Sequence, residues 1–218
     1  MTDRRYALGQ GTLSEGAAQA GPVLSIRSPE TVGIAGGSLV EIKELADLPR
    51  IGQAIARRGA LGFGMKVIYH NRSRLPAENE AELKATWVDK QSLFRQADHV
   101  VLVLPYSPAV HHIVGAAELA LMKPTATLVN IARGGIVDEE ALIKALTQGR
   151  IGAAGLDVFE GEPQVNPGFL PLQNVVLTPH IASATMATRL KMAQLAAQNL
   201  IAFFATGKAV TPLNEVAA

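Results

Sequence analysis

The feature that most restricts the fold is a recurrence of short, nearly unbroken apolar runs, clearest in "HVVLVLP" (99–105) and "TLVNIA" (127–132). Runs of this length are strand-sized and lack the alternation of a half-exposed strand. They suit strands covered on both faces, which is what a parallel sheet requires. Six candidates follow one another: Thr31–Ala35, Lys66–His70, His99–Leu104, Thr127–Ile131, Ala153–Val158 and Val175–Leu177. Helical segments separate them. In "VDEEALIKALTQGRI" Asp138 is a natural N-cap, Glu139 and Glu140 favour the positive helix start, and Gly149 suits the position just past the end. A last long helix, about Thr185 to Ala205, stops at Gly207. Alternating strands and helices predict an α/β, doubly wound parallel sheet.

Composition removes several function classes. Lys plus Arg number 20 against 19 Asp plus Glu, without a basic stripe, which argues against a nucleic-acid partner. There is no cysteine, hence no disulfide, zinc-thiolate site or thiol nucleophile. No apolar run reaches signal-peptide or membrane-span length, so a soluble cytoplasmic protein with no membrane partner is expected. No metal site is expected either. His70, His99, His111 and His112 share no motif with a second ligand and are read as structural, with the 111–112 pair at a helix start. Trp87 and Phe94 are read as core or helix-packing residues, and residues 1–28 as poorly ordered apart from a possible strand at Pro22–Ile26.

In doubly wound sheets ligands bind beyond the carboxyl ends of the strands, so the residues just after each strand carry the chemistry. After the second strand, "YHNRSR" supplies Asn71, Arg72 and Arg74 and no acid. An acid there would accept from an adenine ribose hydroxyl, whereas arginine favours a 2′-phosphate, so the loop leans toward NADP(H) with NAD(H) possible. "LPYSP" bends the chain at Pro105 and Ser107. "NIARGG" places Arg133 before a helix, where it could clamp a carboxylate. "GLDVFEGEP" gives Asp157 and Glu162, and "LTPHIASAT" gives His180. Each alone has a bland reading, as a surface arginine, a solvated glutamate or a structural histidine. Arg133, Glu162 and His180 after consecutive strands suggest a carboxylate anchor and a carboxylate-tuned proton donor, suited to hydride transfer to a 2-oxo acid.

From Ile51 to about Asn214 the chain resembles the nucleotide-binding domain of the D-isomer-specific 2-hydroxyacid dehydrogenases, most of all the glyoxylate/hydroxypyruvate (2-ketogluconate) reductase branch. The segments that carry this are "RIGQAIARR", "GFGMKVIYHNRSR", "ADHVVLVLPYSP", "MKPTATLVNIARGGIVDEEAL", "GRIGAAGLDVFEGEP" and "NVVLTPHIASAT". The resemblance implies a Rossmann-type NAD(P)-binding domain over 29–214 and reduction of a small 2-oxo acid. It further implies Arg133 on substrate, His180 as general acid, Glu162 as its partner, Asp157 at the nicotinamide carboxamide and Arg72 at the 2′-phosphate. Pro105, Ser107, Ile131 and Ala132 would line the cofactor, and a homodimer is possible.

Two departures accompany it. The family's glycine-rich turn runs straight into a helix, whose N-terminal N–H groups hold the pyrophosphate. Here Gly36 and Gly52 match its first and last glycines, but thirteen residues, Gly37 to Pro49, intervene. They read as an extra short helix capped by Ser38, with Glu41 at the capping-box position and Pro49 as a stop. The family's N-terminal substrate domain has no counterpart in residues 1–30, so it is expected to be missing. A cofactor-binding or interaction module without turnover is therefore the alternative function.

Overall fold

The computed structural model describes residues 31–36 and 50–212. The proposed order of residues 1–28, the strand at Pro22–Ile26 and the inserted helix with Ser38, Glu41 and Pro49 lie outside them. The chain divides into two compact units, residues 1–179 and residues 180–218.

The first unit is built on seven strands: β1 (Thr31–Gly36), β2 (Lys66–His70), β3 (Ala85–Trp87), β4 (His99–Val103), β5 (Thr127–Asn130), β6 (Ala153–Leu156) and β7 (Val175–Leu177). They lie in the order β3-β2-β1-β4-β5-β6-β7, and every pairing is parallel. The direction of winding reverses between β1 and β4, which makes the crevice beyond their carboxyl ends the switch point of a doubly wound sheet. Among the described residues five α-helices connect the strands: α1 (Arg50–Arg57), α2 (Ala77–Leu83), α3 (Lys90–Gln96), α4 (Ala116–Leu121) and α5 (Glu139–Thr147).

Side-chain parity along the strands shows that both faces are covered. Ile68 of β2 and Val100 and Leu102 of β4 join one buried cluster with Leu93, Phe94, Leu119 and Leu142 from the helices. Their neighbours Val67, Tyr69 and Val101 join a second cluster with Ala56 of α1 and Leu83 at the end of α2. Successive residues of a strand point to opposite faces, so each continuous apolar run feeds two cores at once. Toward the β7 edge that second face opens, and Val176 is 53% exposed.

The helix ends follow the expected chemistry. Asp138 Oδ1 accepts from the Ala141 N–H at 3.0 Å, and Asp89 Oδ1 caps α3 through the Ser92 N–H at 2.9 Å. Gly149 takes up a φ of 63° just past α5. In the second unit α6 (Met186–Thr206) begins at Thr185, whose Oγ1 accepts from the Thr188 N–H, and ends at Gly207 with φ 75°. No helix among the described residues is long and apolar enough to cross a membrane.

Three expectations are corrected. β3 is a seventh strand that no apolar run announces, and Trp87 lies on this edge strand, 36% exposed, instead of in a core. Its Nε1 donates to Asn71 O at 3.3 Å. His111 and His112 follow a one-turn 3-10 helix at Pro108–Val110 and precede α4 by a further turn, so they do not start a helix. Phe94 does sit in the core, 1% exposed.

Candidate active site

All strands run the same way, so the turns after β2, β4, β5 and β6 share one edge of the first unit. Gly36 ends β1 in register with Val103 of β4, at the switch point. Gly52 is buried in the first turn of α1. It lines a cleft together with Ala56, Tyr69, Asn71, Leu75 and Val103. The lining is almost wholly apolar, with Asn71 and Tyr69 adding polar atoms at the rim.

The loop after β2 separates two arginines that look equivalent in the sequence. Arg74 donates from Nε and Nη2 to the two oxygens of Glu80, each at 2.8 Å. Tyr69 donates its hydroxyl to Glu80 Oε1 at 2.6 Å and accepts from the Leu75 N–H at 2.7 Å. Arg74 and then Tyr69 thereby hold the Glu80 carboxyl down at about 2. Burial, then the bond to Glu80, pushes the Tyr69 phenol up to about 12. This knot braces the loop beneath Asn71 and Arg72, and the Arg72 side chain is exposed.

After β4, Pro105 is exposed. Ser107 Oγ, two residues on, is buried and has no hydrogen-bond partner among the described residues.

After β5 the backbone turns around Asn130, which is 2% exposed. Its Oδ1 accepts from the Ala132 N–H at 3.0 Å and its Nδ2 donates to Arg133 O at 3.1 Å. Ile131 is half-buried and Ala132 buried. The exposed Arg133 folds Nη1 back to Ala132 O at 2.6 Å, which leaves further guanidinium N–H groups for a ligand. The next residue meets the turn after β6: a β-carbon on Gly134 would lie 1.9 Å from Phe159 O. Only glycine lets these two turns touch, and the contact sets Arg133 beside the segment that carries Glu162.

After β6, Asp157 is 6% exposed and accepts from the Thr178 hydroxyl at 2.5 Å. Glu162 Oε1 accepts from the Phe159 N–H at 3.0 Å, and the Glu162–Pro163 bond is cis. His180 is the first residue of the second unit and has a φ of 53°. Among the described residues no cluster could hold a metal ion.

Asn130, Thr178, Tyr69 and Glu80 were not singled out in the sequence, yet they shape the turns. Asn130 had a legible signal: it is the one polar residue inside the run "LVNIA", and a buried amide needs partners.

Residues 45–182 match the family described as D-isomer specific 2-hydroxyacid dehydrogenase, NAD binding domain. The glyoxylate reductase of Thermococcus gammatolerans is 56% identical over 154 residues, 71% of this chain and 46% of that protein. An NADPH-dependent glyoxylate/hydroxypyruvate reductase from Sinorhizobium meliloti, solved with NADP and malonate, superposes with a TM-score of 0.77 at 38% identity. That match covers 96% of this chain and 60% of that one. The holo D-mandelate dehydrogenase of Rhodotorula graminis gives a TM-score of 0.77 at 35% identity, covering 87% and 52%. The chain spans about half the length of the curated relatives it matches.

Two outcomes follow from these contacts. Gly134→Ala should cost roughly 1–3 kcal/mol in urea unfolding, the usual range for overpacking; an unchanged midpoint would mean the turns separate freely. Glu80 has a depressed folded pKa, so its contribution is present above its ordinary value of 4.5 and is lost as pH falls toward 2. The stability difference between the native chain and Glu80→Gln should therefore shrink across that window. A difference constant from pH 7 to 2 would show that the ionised carboxylate adds nothing.

Proposed function

The chain belongs to the D-isomer specific 2-hydroxyacid dehydrogenase family, and from that premise we propose that it reduces a small 2-oxo acid of the glyoxylate or hydroxypyruvate kind to a D-2-hydroxy acid, with NADP(H) preferred over NAD(H). The observation that carries the reading is the Gly134 contact, which sets Arg133 and Glu162 on adjoining turns at the carboxyl edge of an NAD-binding sheet. The proposed domain runs over 29–214.

In this reading the first unit holds the adenosine and nicotinamide ends of the dinucleotide. The cleft beside Gly52 takes the adenosine end, Asn71 in its lining takes the ribose, and the exposed Arg72 next in the chain takes the 2′-phosphate. The absence of any acid from 71 to 75 favours the phosphorylated form, as does the likeness to an NADPH-dependent reductase. Arg74 is a brace in this reading because its fork is occupied by Glu80. The orphan Ser107 hydroxyl, Pro105 and the backbone at Ile131 and Ala132 line the middle, and Asp157, fixed by Thr178, faces the carboxamide.

A reduced nicotinamide, when bound, supplies the hydride for the carbonyl carbon. Arg133 holds the substrate carboxylate and polarises the carbonyl oxygen. His180 delivers a proton to that oxygen as the carbonyl π bond breaks, and Glu162 is assigned the carboxylate that favours the charged imidazole. These last two assignments come from the motifs "TPH" and "FEGEP". A homodimer is the assembly that goes with this reading.

The thirteen residues between Gly36 and Arg50 favour a second reading, a cofactor-binding module without turnover. Titration with NADPH and NADH, read by nicotinamide fluorescence, separates the possibilities. NADPH should bind at least tenfold more tightly, and Arg72→Ala should remove that preference while sparing NADH, since a charge-assisted bond is lost. Oxidation of NADPH by glyoxylate or hydroxypyruvate should fall by about 10²–10⁴ in His180→Ala, and Arg133→Gln should raise the KM for the acid. Tight binding without oxidation would select the module; no binding at millimolar cofactor would defeat both readings.

A further inference from the structure

His112 touches all three turns that leave β4, β5 and β6. It lies in the first of them with a φ of 52°, a conformation that side chains other than glycine and asparagine adopt at a cost. Its N–H donates to Gly135 O, in the second turn, at 2.7 Å. Its ring stacks on His111 at 3.8 Å, and Tyr106 meets His111 edge-on at 6.0 Å. Its Nε2 pairs with Glu160 Oε1, in the third turn, two residues before Glu162.

That third turn is held by carboxylates. The Phe159 N–H donates to Glu162 Oε1 at 3.0 Å, and the Glu160 N–H donates to Glu139 Oε1 at 2.9 Å. Burial pushes the Glu139 carboxyl up, and the charge of Glu160 adds to the effect. Acids drawn together in this way need a hydrogen-bond donor, which the His112 imidazole supplies. Gly134 meets the same turn at Phe159 and Glu160, so a shift there would move the Arg133 turn as well.

We propose that His112 is a positioning residue for this site: by pairing with Glu160 it fixes the turn that carries Glu162 against the turn that carries Arg133. The role rests on the reading of Arg133 and Glu162 given above, but the pairing can be tested without turnover.

Amide hydrogen exchange of the full chain, followed by mass spectrometry, reports on the turn directly. In His112→Asn, which tolerates the left-handed backbone but is too short to reach Glu160, exchange over 157–163 should speed up about tenfold, as expected for losing a bond to a charged group. Glu160→Ala should do the same, and the double variant should be no faster than either single one. His112→Lys, a donor of longer reach, should restore protection. Peptides from β1 and β2 should not change. Unchanged exchange over 157–163, additive effects in the double variant, or equal loss of protection across the first unit would each overturn the proposal.

Kinetics supply the second readout. With NADPH and glyoxylate, His112→Asn should lower kcat/KM for the acid about tenfold at unchanged NADPH affinity; weaker NADPH binding instead would overturn the role. Were the native chain to show no turnover, the functional reading would fall, and the exchange data would still decide whether His112 holds the turn.

Discussion

Every strand of the sheet runs in the same direction, and the rest of the first unit follows from that. A parallel ladder has no hairpins, so each strand must be followed by a crossover that returns over one face or the other. The two buried clusters are the result, one on each face, with alternate residues of β2 and β4 assigned to each. The same constraint gathers the strand ends on one edge. Whatever chemistry the unit performs is therefore built from turns whose own backbone groups the ladder cannot satisfy.

Side chains take over that task. Asn130 bonds the backbone on both sides of the β5 turn, and Thr178 fixes Asp157. Glu139 and Glu162 accept the N–H groups of the β6 turn. The two ends of the edge are built differently. Beyond β2 an apolar cleft sits beside a knot of Tyr69, Glu80 and Arg74, where charge is neutralised locally. Beyond β5 and β6 the backbones themselves touch, at a distance only glycine permits, and the acids lie crowded together.

Much of this was legible in the sequence, for reasons that can be named. The strands that lie in the middle of the sheet are continuous apolar runs because they are covered twice. The ends of α5 and α6 carry Asp138, Gly149, Thr185 and Gly207 in the places where orphaned N–H and C=O groups need them. β3 escaped because three residues cannot show a period, and its pairing is dictated by β2, not by its own composition. The contact between Gly134 and Phe159 could not be seen, since it exists only once β5 and β6 lie side by side. His112 escaped for the same reason: its partner, Glu160, is 48 residues away and arrives through the fold.

Charge counting leaves one distinction unmade. Arg72 and Arg74 are indistinguishable as a basic cluster and both are exposed, yet only Arg74 has its fork on the carboxylate of Glu80. The interruption between Gly36 and Arg50 raises the converse question, of how much a change of length matters. Loop closure grows only with the logarithm of length, so thirteen residues in place of two cost the fold about 2 kcal/mol. The β1 register and the burial of Gly52 are compatible with that small cost. A pyrophosphate cradle is a different object, since it depends on particular N–H groups pointing at one place. The cost to the fold and the effect on a dinucleotide therefore rest on different requirements, and the two must be measured separately.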